Sequence, residues 1–410
     1  MKTFWFDFYL AFRNIVRQKR RSAISIGAVA FGITALILAS GFIEWIFLDF
    51  RETTIKSQLG HLQIVRPGYR DAGKADPYSF LLPEILPELH AANDNLDQIK
   101  IIVPRIYFSG LISHVESTLS FIGDGVDPLD QEAFGNALQI SRGQNLSIDE
   151  SLHIIVGEGL ALNLGVNVGE QVVLLANTAS GGINAIEVTI RGLFSTVTKS
   201  YDDNTLRIPI ETARELLKVK GSHSWVVLLH DTAQTDTVLA ILRDKLPPSE
   251  FEIIPWYSLA DFYNKTVDLF TKQVNGIKII IALIILLSIF NTMSISVMER
   301  IGEIGTAMAL GVKRTDIMRL FLAEGVLIGC IGGLLGLMMG LLLAKIISNI
   351  GIPMPPPPGM ARGYTGEILV TWNMALEALL LAVSTTLIAS IYPAWKASRM
   401  QIVDALRHNR

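Results

Sequence analysis

The sequence predicts an α-helical membrane protein with four transmembrane helices and a large α+β extracytoplasmic domain inserted between helices 1 and 2. Three observations predict it. Four stretches lack charged residues for long enough to cross a bilayer, namely 22–43 (22 residues), 279–298 (20), 325–344 (20) and 378–395 (18). Between the first two lie 218 residues, 51–268, of mixed strand and helix pattern. Positive charge collects in the short segments and negative charge in the long one.

The hydrocarbon core of a bilayer is about 30 Å thick and needs about 20 apolar residues as a helix, which each of the first three runs supplies. The fourth is shorter, but its apolar pattern reaches back through Trp372 and Met374 with Glu377 as the interruption. Composition agrees. Of 410 residues, 50% are hydrophobic and 18% charged, against about 25% charged in a soluble domain, and the mean hydropathy is +0.41. The first run follows basic residues as a signal peptide would, but it exceeds the roughly 7–15 residue core of such a peptide and reads as a retained span.

Charge sets the orientation. Residues 1–21 carry six positive side chains against Asp7, a net of +5; residues 299–319 net +1; residues 396–410 net +3; residues 51–270 net −11. The positive-inside rule places both termini and the 299–319 loop in the cytoplasm and the large segment outside. The chain then divides into a cytoplasmic elbow (1–21), helix 1 (22–49), an external domain (50–268), helix 2 (269–298), a cytoplasmic loop (299–319), helix 3 (320–346), an external Pro-rich loop (347–371), helix 4 (372–395) and a cytoplasmic tail (396–410). In the elbow, Phe4, Phe8, Phe12, Ile15 and Val16 recur at helical spacing with Arg13, Arg17 and Lys19 between them. That pattern predicts an amphipathic helix lying in the inner headgroup layer.

In the external segment, IKIIVPRIYF (99–108), HIIVGEG, QVVLLA, IEVTIRGLF and WVVLLHD are β-branched runs bounded by Gly, Pro, Asn or Asp and read as strands. Residues 211–220 and 235–246 read as helices, so WVVLLHD, the second helix and FEIIPW form a strand–helix–strand unit. The interval NTASGGINA (177–185) is an exposed hairpin tip or longer loop. In the third span Gly325, Gly329 and Gly333, and also Gly332, Gly336 and Gly340, recur every fourth residue, the spacing that lets helix backbones approach closely in lipid. IPMPPPPG (352–359) is a stiff polyproline-like spacer.

Several function classes are excluded or unsupported. A net charge of −3 gives no footing for nucleic acid, and the single Cys330 excludes an internal disulfide and a cysteine-built metal site. The sequence has no GxxxxGK[ST] phosphate loop, no HExxH and no GxSxG. The seven histidines, at 61, 90, 114, 153, 223, 230 and 408, form no metal-ligand pair. Glu44, Asp49 and Glu324 sit near the ends of apolar runs, where a charge is inexpensive, and read as interfacial or packing residues. Acids deep in the spans, as a proton-driven transporter would use, are absent.

The stretch MERIGEIGTAMALGVKRTDIMRLFLAEGVLIGCIGGLLG (298–336) resembles the signature of the FtsX-like permease superfamily of ABC transporters, in which ERxxEIGxxxALG forms a short coupling helix. LAFRNIVRQKRRSAISIGAVAFGITALIL (10–38) is similar to that family's elbow and first span, and YPAWKASRMQIVDALRH (392–408) to its ending. The resemblance covers the whole membrane part in matching order and implies a MacB-like periplasmic core for the inserted domain. It implies a type VII permease that transmits motion from a separate ATPase, and it assigns Glu299, Arg300, Gly302, Glu303, Ile304, Gly305, Leu310 and Gly311 to ATPase contact. A charged face of Glu299, Arg300 and Glu303, an apolar face of Ile304, Ala307, Met308 and Leu310, and Gly311 as the stop suit that task.

Within the external domain, GHLQI (60–64), VPRI (103–106), IGDGVDP (122–128), IIVGEGLALNLGVNVGEQVVLL (154–175) and VTIRGLFSTVTKSYDDN (188–204) resemble the lipoprotein-releasing permeases of the LolC and LolE type. One paralogue of that group carries, at the equivalent of 177–185, a hook that recruits a periplasmic carrier; here the interval is short, with no proline or basic residue. The relatives bind lipid chains between the outer halves of the first two spans. That implies Phe42, Ile43, Trp45, Ile46 and Phe47 facing Val267, Phe270 and Val274. Gly325, Gly329, Gly333, Gly336 and Gly340 remain as packing residues.

The implied partners are two copies of an ABC ATPase subunit, a second permease that is identical or paralogous, membrane lipid, and a periplasmic carrier or lipoprotein. No cofactor is expected on this chain; ATP and Mg would be bound by the ATPase. The implied place is a bacterial inner membrane with the large domain periplasmic, and the implied task is extraction or export of a lipoprotein, lipid-like or amphiphilic cargo. The external domain would act as a lever on the first two spans, to which alone it is joined. A different class, a non-transporting FtsX-like relay that activates a cell-wall hydrolase, usually has a smaller external domain. A membrane enzyme has no catalytic constellation behind it.

Overall fold

The computed structural model describes residues 2–73, 76–83, 97–128, 138–147, 151–196, 198–355 and 364–400, which divide into two compact units. Residues 356–359 of the Pro-rich loop and 401–408 of the tail motif lie outside the described residues. In chain order the helices are α1 (Lys2–Arg17), α2 (Lys19–Thr54), α3 (Glu158–Leu164), α4 (Ile210–Leu217), α5 (Thr235–Lys245), α6 (Asp261–Glu299), α7 (Ile301–Ala309), α8 (Arg314–Ile350) and α9 (Trp372–Ser398), beside shorter turns. The strands of the large sheet are β1 (Leu62–Val65), β2 (Ile99–His114), β3 (Ser117–Val126), β4 (Gln139–Gly143), β5 (His153–Gly157), β6 (Gln171–Asn177), β7 (Ile183–Ser195), β8 (Thr205–Pro209), β9 (Ser224–Leu229) and β10 (Glu252–Pro255).

The first unit is Met1–Phe47, Val267–Ile352 and Thr365–Arg410. Among the described residues four helices, α2, α6, α8 and α9, are long and apolar enough to cross a membrane. The glycines of α8 explain how three of them meet. Gly325, Gly329 and Gly333 face α9, where an added Cβ would meet Ser390, Thr386 and Leu379. Gly332, Gly336 and Gly340 face α2: a Cβ on Gly332 would lie 2.7 Å from Val29 Cβ, and one on Gly336 2.6 Å from the Ala30 carbonyl. The two series meet different neighbours because members at the same level, such as Gly332 and Gly333, are one residue and so about 100° apart around the helix. Thr34 Oγ1 donates to the Gly336 carbonyl at 3.0 Å, a polar bond across the α2–α8 contact.

Among the residues of α1 whose burial is described, Ala11 and Ile15 are buried, whereas Phe12 and Val16 are exposed together with Arg13 and Arg17. The helix also packs against protein: Asn14 Nδ2 donates to Glu324 of α8 at 2.6 Å. The polar Asn14 thus faces α8, on the side of the helix opposite the exposed Phe12 and Val16.

The second unit is Leu48–Thr266 with Pro353–Tyr364. Its sheet runs β10-β1-β9-β2-β3-β8-β5-β7-β4, with β6 pairing both β2 and β7. Two modules follow from that order. The pairs β2–β3, β3–β8, β8–β5, β5–β7, β7–β6 and β6–β2 close a ring of strands. Its apolar filling includes Ile106, Phe108, Phe121, Leu174, Ile190 and Leu206, with Leu160 of α3 and Leu216 of α4. The other module is β10-β1-β9 with the first half of β2, covered by Val238 and Leu242 of α5. Here the expected strand–helix–strand unit holds β9 and β10 on either side of β1 rather than side by side.

β2 belongs to both modules. Its first half, Ile99–Arg105, pairs with β9, and from Ile106 it pairs with β3. Among the described residues the first half has one strand neighbour, which is why Pro104, unable to donate a backbone bond, is tolerated opposite Trp225. At the change of partners lies a buried charge cluster. Arg105 Nη1 donates to Asp124 Oδ2 at 2.9 Å, and Arg207 Nε lies 3.2 Å from the same oxygen. Arg207 also donates to the Ser57 carbonyl, in the π-turn Ile55–Leu59 that follows α2 and stops at Gly60, with φ 67°.

Two histidines are buried nearby. His61 Nδ1 accepts from the Leu229 amide at 3.0 Å, and His223 Nδ1 accepts from the Tyr107 amide at 3.1 Å. Burial pushes both down to about 4.

Candidate functional site

The chain turns between α6 and α8 through α7. Arg300 (φ −106°, ψ 13°) separates Glu299, the last residue of α6, from α7, and Gly311 (φ 97°) follows it. A left-handed φ at that point strains any residue with a Cβ, so the glycine fixes where α7 stops. Ile304, Gly305 and Met308 turn inward, and Ile304 and Met308 join the core with Ile317 and Phe321. Glu299, Glu303, Thr306, Ala309 and Leu310 face outward, Leu310 being 83% exposed. Of the sequence-assigned contact residues, Glu299, Glu303, Leu310 and Gly311 are thus exposed, Arg300 and Gly302 are half-buried, and Ile304 and Gly305 pack inside.

An ion-pair network holds this turn. Arg21 grips Glu299 with two bonds of 2.6 and 2.7 Å, the fork geometry that suits a carboxylate. Arg17 pairs with Glu303, and Arg300 Nε lies 3.4 Å from the same carboxyl. The hydrogen bond from Arg17, helped by Arg300, holds Glu303 below the usual carboxylate range. Arg300 Nη1 reaches Glu324 at 2.9 Å and its guanidinium lies 5.7 Å from the centre of the Phe321 ring. Glu324 is 4% exposed: it is a buried packing partner, not a residue at the water boundary. A cavity of about 500 Å³ opens beside the network, among Asp7, Asn14, Glu303, Ala307, Asp316 and Leu320.

Sequence reasoning did not connect Asn14, Arg17, Arg21 and Glu324 to this turn. The available signal was Glu324 itself, a carboxylate directly before the charge-free run 325–344, with Arg17 and Arg21 one helical turn apart.

The second candidate site is a cavity of about 680 Å³ among α2, α6 and α9. Of the residues that the resemblance implies, Ile43, Phe47 and Val274 line it. Phe42 instead packs on Gly366, and Phe270 meets Phe47 edge-on at 6.2 Å. Trp45, Ile46 and Val267 are half-buried outside the lining. The wall that sequence reasoning missed is α9, with Met374, Glu377, Ala378 and Leu381. Glu377, read from sequence as an interruption, bonds Lys278 of α6 at 2.8 Å.

Of the interval 177–185, residues 178–182 form the turn between β6 and β7, and the rest is paired strand. Thr178 closes it, exchanging hydrogen bonds with Gly182 through backbone and hydroxyl.

Comparison with known proteins gives two family matches, an FtsX-like permease C-terminal region over residues 275–402 and a MacB-like periplasmic core domain over residues 22–245. The lipoprotein-releasing system transmembrane protein LolC of Xylella fastidiosa (strain Temecula1) is 28% identical over 62% of this chain and 65% of its own length. An ABC transporter permease of Methanocaldococcus jannaschii is 21% identical over 97% of this chain and 96% of its own. The macrolide export ATP-binding/permease protein MacB of Psychrobacter arcticus is 25% identical over 72% of this chain and 43% of its own. The match thus spans just under two thirds of that LolC and less than half of that MacB.

Proposed function

The chain belongs to the FtsX-like permease family with a MacB-like periplasmic core domain, and from that premise we propose that it is the membrane subunit through which a separate ABC ATPase moves an amphiphilic or lipid-anchored cargo. ABC transporter permease activity of the MacB/LolC type follows from the family. The cargo class and the mechanical route are the proposal. Two permease chains and two ATPase subunits assemble in an inner membrane, with α2, α6, α8 and α9 as spans, both termini cytoplasmic and the second unit periplasmic. ATP and Mg are bound by the ATPase.

The carrying observation is the ion-pair network at α7. A short helix that receives force must not yield at its own root, and α7 is tied to α1 through Arg17–Glu303, to the end of α6 through Arg300, and to α8 through Glu324. The outward surface of Glu299, Glu303, Leu310 and Gly311 is the ATPase contact. The force then travels outward along α2 and α6, whose 36 and 39 residues make rods of roughly 54 and 58 Å at 1.5 Å per residue. A hydrocarbon core of about 30 Å leaves both projecting, so a tilt at the inner end displaces the outer one. The cargo's acyl chains lie against Ile43, Phe47 and Val274.

The test is reconstitution with the ATPase and a labelled lipid-anchored cargo. The double change Glu303→Lys with Leu310→Asp is expected to abolish ATPase capture and cargo release while the protein inserts normally. Capture and release that both survive the double change overturn the reading.

A further inference from the structure

The cavity among α2, α6 and α9 carries more charge than helix packing requires. Lys278, Glu377 and Glu44 directly flank the charge-free runs 279–298, 378–395 and 22–43, so all three stand at the ends of apolar spans, where headgroups reach. Lys278 of α6 and Glu377 of α9 pair at 2.8 Å, and both line the cavity, as does Glu44 of α2. Glu44 is exposed and enters no hydrogen bond or ion pair among the described residues. Ser40 Oγ, on the same wall, is buried without a hydrogen-bond partner among the described residues. Further along α2 the lining becomes apolar: Leu36 and Ile37, with Leu381 opposite. Seven to eight residues separate Glu44 from those two, about 11 Å along the helix.

The cavity therefore has an ionised rim and an apolar interior, the layout of an amphiphile lying along the helices. The rim also selects. An anionic headgroup could pair with Lys278 but would meet two carboxylates. A purely cationic one would be repelled by Lys278. A headgroup with a phosphate next to an ammonium satisfies both signs, and its size accords with a cavity in the range of about 300–1,000 Å³ that holds small molecules.

We propose that this cavity binds a zwitterionic, amine-bearing glycerophospholipid. Its phosphate sits at Lys278, its ammonium between Glu44 and Glu377, and an acyl chain lies along Leu36, Ile37 and Leu381. The inference rests on the reading that α2, α6 and α9 span a bilayer, and it assigns this site its ligand class.

The experiment uses the full chain, purified in a mild detergent, incubated with equimolar phosphatidylethanolamine and phosphatidylglycerol, and weighed intact by native mass spectrometry. The unaltered chain is expected to retain phosphatidylethanolamine at least tenfold over phosphatidylglycerol. Glu44→Gln with Glu377→Gln should bring that ratio to one or below, and Lys278→Gln should lower retention of both lipids. Leu381→Trp keeps every charge and fills the cavity, so it should also lower both. Equal retention of the two lipids by the unaltered chain, or a ratio unmoved by the double change, overturns the proposal. So does undiminished retention in Leu381→Trp. Cargo release by a chain that shows no lipid selectivity would leave the transport reading standing and remove only this one; selectivity without release would do the reverse.

Discussion

Glu324 and Arg300 form a largely buried ion pair at 2.9 Å that ties α8 to the turn where α6 gives way to α7. Asn14 completes the carboxylate's bonding from α1. Removing one partner of a buried pair strands the other and costs about 3–5 kcal/mol. Arg300→Ala is therefore expected to lower the thermal midpoint of the detergent-solubilised chain sharply. Arg300→Lys, which keeps the charge but not the planar fork or the stacking on Phe321, should lie between the two.

The α2–α8 contact depends on missing side chains. A methyl on Gly336 would stand 2.6 Å from the Ala30 carbonyl, whereas one on Gly27 would meet nothing within 4 Å. Gly336→Ala should destabilise by about 1–3 kcal/mol through overpacking. Gly27→Ala should be neutral or stabilising by up to about 1 kcal/mol, because alanine is the better helix former. Parallel melting curves of the two variants check the contrast.

Acid should loosen the second unit. His61 and His223 are held near 4 by burial, while an unfolded imidazole titrates near 6.5. As pH falls the unfolded chain binds protons first, so stability is complete above about 6.5 and is lost progressively down to about 4. The loss is of order 2–3 kcal/mol per histidine at the low end. Hydrogen exchange on residues 60–255 of the full chain at pH 7 and pH 5, corrected for intrinsic rates, should show faster opening at the lower pH. His223→Gln should flatten the dependence.

Gly311 and Leu310 separate a folding effect from a docking effect at neighbouring positions. Gly311→Val places a β-branched residue at φ 97°, which costs about 1–2 kcal/mol and should move the melting midpoint. Leu310→Asp alters a side chain that is 83% exposed and should leave the midpoint within about 0.5 kcal/mol of unchanged. ATPase capture in a pull-down is expected to fall at least tenfold for Leu310→Asp.

The parts of the fold that were legible in sequence are those whose cause is local. A charge-free run announces its own helix, and Gly325 to Gly340 announce a close-packed face. The turn at 299–311 was legible because a short motif carries it. Its anchors were not, since Arg17 and Glu303 stand 286 residues apart and no periodicity links them. The strand pattern of 99–108 was legible, but its extension to His114 and its two sets of partners were not, because the ring closes through pairings distant in sequence. The third wall of the cavity was missed for a related reason: Glu377 looked like a flaw in a span until Lys278 was found beside it. That α1 turns Ala11, Asn14 and Ile15 onto protein was not legible, because a polar residue is part of that face.

β1 has four residues and lies between β9 and β10, with Leu62 paired to Pro255 on one side and to Val227 on the other. The first strand of the domain thus finds both neighbours only after some 160–190 further residues have been made. Such distant pairings carry a large loop-closure cost and fold slowly. During synthesis, the module around β1 stays open until the chain has been made as far as Pro255, six residues before α6 begins. The order of assembly is therefore built into the sheet: nearly the whole segment must be synthesised before its opening strand can be locked, and α6 emerges just as that becomes feasible.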